Sequence, residues 1–318
     1  MKQILITGAL GQLGSEIALA LRERYTKENV VLVDIRDNVN KALIEGGPFY
    51  IADCRDRETL SSIIKKHNID TIIHLAAILS AKGELNPTHA WDININGLTT
   101  VLDLAREFNC SLFTPSSIGA FGSSTPKDNT PQVTIQRPSC IYGITKVAGE
   151  LLCDYYFNKY NVDTRGVRFP GLISYLTPPG GGTTDYAIEI FYEAIKHKKY
   201  VCPLREDTYL DMLYISDAVK AVIDLMNADP KKLKHRNAYN ITAMSFSPAE
   251  IAKEIKKHIP SFEIVYEVDP IKQKIADSWP NKLDDSEARE QWGFNPSYDL
   301  EKMVDEMIEK ISRRLAND

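Results

Sequence analysis

KQILITGALGQLGSEIALALRERY, residues 2 to 25, opens on a short apolar run, turns at Gly8, and continues with Leu13, Ile17, Leu21 and Tyr25 at the spacing of one helical face. This is strand, glycine turn, helix. Gly8, Gly11 and Gly14 stand as G-x-x-G-x-x-G between the two elements, where the chain must bend sharply and where a pyrophosphate can approach a helix amino terminus. The same glycines would also suit a tight turn that binds nothing.

The unit repeats outward from there. VVLVD (30–34) and PFYIAD (48–53) read as strands, residues 57–67 as a helix, DTIIHLA (70–76) as a strand, 88–108 as a helix and SLFTPSS (111–117) as a further strand. Alternation of nearly uniform apolar strands with helices predicts an α/β fold, a Rossmann-type doubly wound parallel sheet covered on both faces. After Phe169 prolines become dense, and helices are expected near 185–197, 216–227, 248–258 and 300–314. The expected division is a nucleotide-binding domain over 1–169 and a smaller carboxyl-terminal substrate-binding domain over 170–318, with part of 210–240 packing back onto the first.

Composition narrows the function classes. The chain has 318 residues, a formal net charge of −5 and only short basic runs, which argues against nucleic acid as a partner. No apolar run is long enough for a membrane span, so a cytoplasmic protein is expected. The five cysteines are widely spaced without C-x-x-C and read as reduced thiols, and no metal site is expected.

Asp34 ends the second predicted strand, where its carboxylate can accept the hydroxyls of an adenosine ribose or simply cap the next segment. A carboxylate there repels a 2′-phosphate, which favours NAD over NADP, although Arg36 lies close enough to pair with such a phosphate. Tyr142 and Lys146 are four residues apart on a helical segment and so share one face. A tyrosine that acts as a base near neutral pH needs its pKa of about 10 lowered by roughly three units, which an ammonium and an oxidised nicotinamide would favour. Ser117, at the end of a predicted strand, falls on the carboxyl edge of the sheet and can orient a substrate oxygen.

Gly8-x-x-Gly11-x-x-Gly14, Asp34, Asp53, HLAA (74–77), Asn94, Ser117 and Tyr142-x-x-x-Lys146 together resemble the extended short-chain dehydrogenase/reductase superfamily, over nearly the whole chain. The resemblance implies NAD as cofactor, with Gln12 and Leu13 beside the glycines, Asp53 near the adenine, and Leu75, Ala76, Ala77 and Ile173 lining the site. It also implies that Asn94 steadies the active-site helix and that the protein is a homodimer paired through the helices near 88–108 and 142–160. His74, inside an apolar strand, reads as a core histidine.

SSIGAFG, YGITKVAGELL, RFPGLIS, PGGGTTDYA, TYLDMLYISDA and AILSAKGE are similar to the short-chain type of L-threonine 3-dehydrogenase. That similarity implies NAD-dependent oxidation of the threonine C3 hydroxyl to 2-amino-3-oxobutyrate, with Tyr142 as base, Lys146 as its support and Ser117 on the substrate oxygen. A small zwitterion needs polar groups at both ends. The amides of Gly181 and Gly182 and the hydroxyls of Thr183 and Thr184 are suited to its carboxylate, and Ser80 is a further contact. Asp185 would either face the ammonium or cap the following helix, and Thr88 and Arg205 are weaker choices. Two other readings stay open: a nucleotide-sugar epimerase or dehydratase on the same scaffold, and a non-catalytic NAD sensor.

Overall fold

The computed structural model describes residues 1–37, 41–176 and 182–317. The first half runs β1 (Ile4–Thr7), α1 (Gln12–Tyr25), β2 (Val30–Asp34), α2 (Lys41–Glu45), β3 (Phe49–Ile51), α3 (Arg57–His67) and β4 (Thr71–His74). It continues through α4 (Ser80–Leu85), α5 (Pro87–Trp91), a π-helical turn (Asp92–Asn96), α6 (Gly97–Phe108), β5 (Ser111–Phe113), β6 (Ser116–Ser117), α7 (Ile141–Tyr160), β7 (Thr164–Arg165) and β8 (Val167–Phe169). Six strands form one parallel sheet in the order β3-β2-β1-β4-β5-β7, with Ile4 opposite both Val30 and Thr71. Ile4 and Ile6 feed the core on one face of this sheet and Leu5 the core on the other, which is why β1 has no polar alternation.

Two expected elements are interrupted. The strand over 111–117 breaks at Thr114 and Pro115, because proline has no amide to give the ladder, and it resumes as β6 beside β8. The helix over 88–108 is three segments, its middle one a π turn that brings Asn94 inward. The one-and-a-half-turn helix α4 was not anticipated.

The second half contains β9 (Gly171–Ile173), α8 (Tyr186–His197), β10 (Lys199–Cys202), β11 (Leu210–Tyr214), α9 (Ile215–Asn227), β12 (Tyr239–Asn240), β13 (Met244–Phe246), α10 (Pro248–His258), β14 (Glu263–Tyr266), α11 (Pro270–Ala276), α12 (Ser286–Trp292) and α13 (Leu300–Asn317). α9 lies on α1, and β12 pairs in parallel with β8, so both return to the nucleotide-binding half. β9 runs parallel to β11 in a separate three-stranded sheet with β13. α8 packs on α10 and α13 through apolar faces that include Ile190, Phe191, Ile251, Ile255, Met303 and Met307. Among the described residues no helix is long and apolar enough to cross a membrane.

Candidate active site

The glycine turn is built for close approach. Gly8 has φ +70°, and a Cβ there would lie 2.6 Å from the Ala76 nitrogen; a Cβ on Gly14 would lie 2.4 Å from the Gly8 carbonyl oxygen. Only glycine lets β1, the start of α1 and the 75–77 segment meet in this way, which leaves the first turn of α1 accessible to a pyrophosphate. Leu75 donates its amide to Thr7 O at 2.9 Å, and Gln12 Nε2 donates to Leu172 O at 3.3 Å, tying the turn to β9. Ile173 is fully buried in the larger core.

Asp34 is buried at the end of β2 and accepts the Leu10 amide at 2.9 Å, which holds the glycine turn. Its two oxygens also take Arg36 Nε and Nη2 at 2.9 and 3.1 Å. The expected ribose acceptor is thus already engaged by Arg36. Asp53 is similarly gripped by Arg55, which bridges to Asp92 at the start of the π turn, and the Arg55 hydrogen bonds hold the Asp53 carboxyl below its ordinary range.

Asn94, delivered by the π turn, accepts the Ile78 amide at 2.7 Å and donates to Ile78 O at 3.1 Å and to Thr145 Oγ1 at 3.0 Å. It therefore clamps the segment after β4 to α7. Tyr142 and Lys146 stand one above the other on α7, with the Lys146 ammonium 5.4 Å from the centre of the Tyr142 ring. Ser117 lies beside the Tyr142 ring across Gly119, and its oxygen accepts the Gly119 amide at 3.1 Å. Gly143 permits this packing, since a Cβ there would lie 2.1 Å from the Gly119 carbonyl oxygen. Lys146 Nζ donates to Pro115 O at 2.7 Å.

The electrostatics differ from the expectation. Burial pushes the Tyr142 phenol up to about 12, with the Ser117 hydrogen bond opposing it, and burial pushes Lys146 down to about 8. The lysine's attraction for the phenolate does not offset desolvation in the protein by itself. His74 is buried with Nδ1 2.7 Å from Thr7 Oγ1, and burial followed by Lys146 lowers it to about 3; it is a neutral core histidine.

At the substrate end, Gly181 lies outside the described residues. The Gly182 amide donates to Asp185 Oδ2 at 2.7 Å, closing a capping turn before α8. That amide is therefore not directed at a ligand, and Asp185 serves the cap as one of its two expected roles. Thr183 Oγ1 lies 3.3 Å from Ser80 Oγ, joining the turn to α4, and both residues are buried. Thr184 is half-buried against Gly171 of β9. Arg205 pairs with Asp277 on the surface, and Thr88 is exposed on α5.

A part of the site that sequence reading passed over lies below Lys146. Glu150, one turn further along α7, is buried in a two-bond ion pair with Arg168 at 3.0 and 2.8 Å and accepts Gln136 Nε2 at 2.7 Å and the Ser116 hydroxyl. A cavity of about 30 Å³ lies against His74, Ser116, Lys146, Glu150, Cys153 and Asn237. The i, i+4, i+8 series of Tyr142, Lys146 and Glu150 was its available signal.

A dinucleotide cradle beside a serine, tyrosine and lysine at the carboxyl edge of a parallel sheet defines a nicotinamide-dependent enzyme of the extended short-chain dehydrogenase type. The chain belongs to the NAD dependent epimerase/dehydratase family, whose model matches residues 4–242. An uncharacterized epimerase/dehydratase of Staphylococcus haemolyticus is 53% identical over 317 residues, covering 100% of both chains. The structure of L-threonine dehydrogenase from Clostridium difficile superposes with a TM-score of 0.96 at 57% identity over 99% of this chain and 98% of that one. A monomeric L-threonine 3-dehydrogenase from a metagenome superposes at 0.93 with 44% identity over 98% and 99%.

Proposed function

We propose that this chain oxidises the C3 hydroxyl of L-threonine to 2-amino-3-oxobutyrate using NAD. The observation that carries the reading is the Lys146 ammonium 5.4 Å from the Tyr142 ring with Ser117 beside that ring, at the edge of a cradle fit for a dinucleotide, in a chain similar throughout to L-threonine dehydrogenases. Gly8, Gly11 and Gly14 would take the pyrophosphate, Asp34 the adenosine ribose once Arg36 turns aside, and Asp53 the adenine rim. NAD, when bound, supplies the acceptor for the hydride from C3. Tyr142 takes the hydroxyl proton as the carbonyl forms, and Ser117 donates to the same oxygen. Lys146 holds the nicotinamide ribose and supplies positive charge beneath the phenolate. The turn at 182–185 and Ser80 enclose the amino-acid end, with Thr184 nearest to open space.

Division into a cofactor domain over 1–169 and a substrate domain over 170–318 accords with this arrangement, α9 and β12 belonging spatially to the first. Pairing as a homodimer in the cytoplasm is part of the same proposal, supported by Ile144, Leu151 and Tyr155 exposed along α7; light scattering at micromolar concentration tests the pairing. The decisive experiment incubates the purified protein with NAD and L-threonine, L-allo-threonine, L-serine, 3-hydroxybutyrate or UDP-sugars, following NADH and sugar conversion. NADH formation with threonine is expected. Conversion of a UDP-sugar alone would replace the reading with an epimerase or dehydratase.

A further inference from the structure

Three consecutive residues at the sheet edge meet three successive turns of α7. Ser117 lies beside Tyr142, the Pro115 carbonyl accepts Lys146 Nζ at 2.7 Å, and the Ser116 hydroxyl donates to Glu150. The lowest contact is the most firmly held. Glu150 is fixed by Arg168, and Arg168 in turn donates to Gln132 O at 2.8 Å and Asn240 Oδ1 at 3.0 Å. Ser116 is also opposite Arg168 in the β6–β8 ladder, so backbone pairing and the Glu150 carboxylate act on the same residue.

A buried ion pair of this kind contributes little net stability relative to an apolar replacement, because desolvation offsets most of the attraction. A role in geometry accounts better for its place. The strand is broken at Pro115, which gives no amide to the ladder, while the Thr114 amide bonds to Arg165 O at 3.1 Å before the break and β6 pairs with β8 after it. Those bonds tie the stretch to β7 and β8; the Ser116 hydroxyl on a fixed carboxylate ties it to α7.

We propose that Glu150 is a positioning residue for the reaction, setting through Ser116 the register in which Pro115 receives Lys146 and Ser117 receives Tyr142, with its charge facing Lys146. This rests on the dehydrogenase reading of Tyr142 and Lys146. The charged and titratable groups around Lys146 are Tyr142, Glu150 and Cys153 on α7 and His74 on β4, with Arg168 on β8 behind Glu150. Of these only Glu150 is a carboxylate on the lysine's side.

The test compares Ser116→Ala, which removes the hydroxyl and leaves every charge, with Glu150→Gln, which keeps the shape and removes the charge. For each, Tm, NAD affinity by fluorescence, threonine KM, kcat and the pH dependence of kcat are measured, with Tyr142→Phe alongside. Ser116→Ala is expected to fold, to bind NAD within about twofold of the parent, and to lose kcat by roughly tenfold, since misplacement of about an ångström at a reacting centre costs up to about a hundredfold. The rise of kcat with pH should move to higher pH in Ser116→Ala, because a displaced Lys146 supports the phenolate less, whereas Glu150→Gln also removes a negative charge from beneath the pair and should move it less or toward lower pH. If Glu150→Gln does not fold, as removal of one member of a buried pair can cause, Ser116→Ala decides. A folded Ser116→Ala with parental kcat and an unmoved pH profile would overturn the proposal, as would a lowered Tm with unchanged kcat per folded molecule. Substantial turnover by Tyr142→Phe would instead remove the dehydrogenase reading on which it stands.

Discussion

Lys146 directs its ammonium to the carbonyl of Pro115 at 2.7 Å, while Tyr142, one helical turn away, is pushed up to about 12 by burial. In the proposed base role, Tyr142 would therefore depend on more than the chain's own groups. An oxidised nicotinamide, when bound, would add positive charge that favours the phenolate.

The proposed base role needs Tyr142 ionised, so turnover should rise with pH across the neutral range as the phenolate fraction increases. Tyr142→Phe should leave the fold and NAD binding nearly intact and lower kcat by about 10²–10⁴-fold, the usual contribution of a positioned base. Steady-state kinetics from pH 6 to 10 with both proteins check this. Retention of a parental rise in kcat by the phenylalanine variant would assign the titration to another group.

Gly11 and Gly14 should respond differently to alanine. A Cβ on Gly14 would lie 2.4 Å from the Gly8 carbonyl and 2.9 Å from Ala9, so backbone must move; on Gly11 its one neighbour is the Gly8 oxygen at 3.3 Å. Gly14→Ala should lower both Tm and NAD affinity. Gly11→Ala should keep Tm within a few degrees while weakening NAD binding about tenfold or more, if the proposed pyrophosphate site needs close backbone approach at this glycine. Thermal melts with and without NAD, beside fluorescence titrations, distinguish the two outcomes.

Much of this was readable because each feature is local. The β1 turn, the end of β2 and the Tyr142 to Lys146 spacing each take up only a few neighbouring residues, and α10 follows its Ser247 capping box to Glu250. What escaped reading depends on distant partners. The π turn that aims Asn94 at Thr145, the break at Pro115, and the pairing of Glu150 with Arg168 each need a contact from another element to acquire meaning. Gly182 and Asp185 show the converse, since a local cap satisfied groups that composition made attractive for substrate.

His74 provides a test in acid. Its ordinary pKa of 6.5 falls to about 3 on folding, so the native state holds it neutral while the unfolded chain binds a proton below 6.5. The stability this neutral form secures is present above pH 6.5 and is lost as pH falls toward 3. Down to pH 5 the loss is 1.5 units, or about 2 kcal/mol. Urea unfolding of the parent and of His74→Asn at pH 7.5 and 5 should show the parent's advantage shrinking by about that amount. A constant difference would mean that His74 does not resist protonation in the folded protein.

Thr183 and Thr184 separate the structural and binding parts of the 182–185 turn. Thr183 is buried with its hydroxyl 3.3 Å from Ser80, whereas Thr184 is half-buried beside Gly171. A hydroxyl that receives one end of a small zwitterion contributes a charge-assisted hydrogen bond, so Thr184→Val should raise threonine KM by about tenfold or more with NAD KM little changed. Thr183→Val removes a bond between two elements of the protein and should chiefly lower Tm. Initial-rate kinetics with each substrate varied in turn, and melts of both variants, give the comparison. An unchanged threonine KM in Thr184→Val would place recognition of the amino-acid end outside this turn, with Ser80 and Ser117 the next residues to vary.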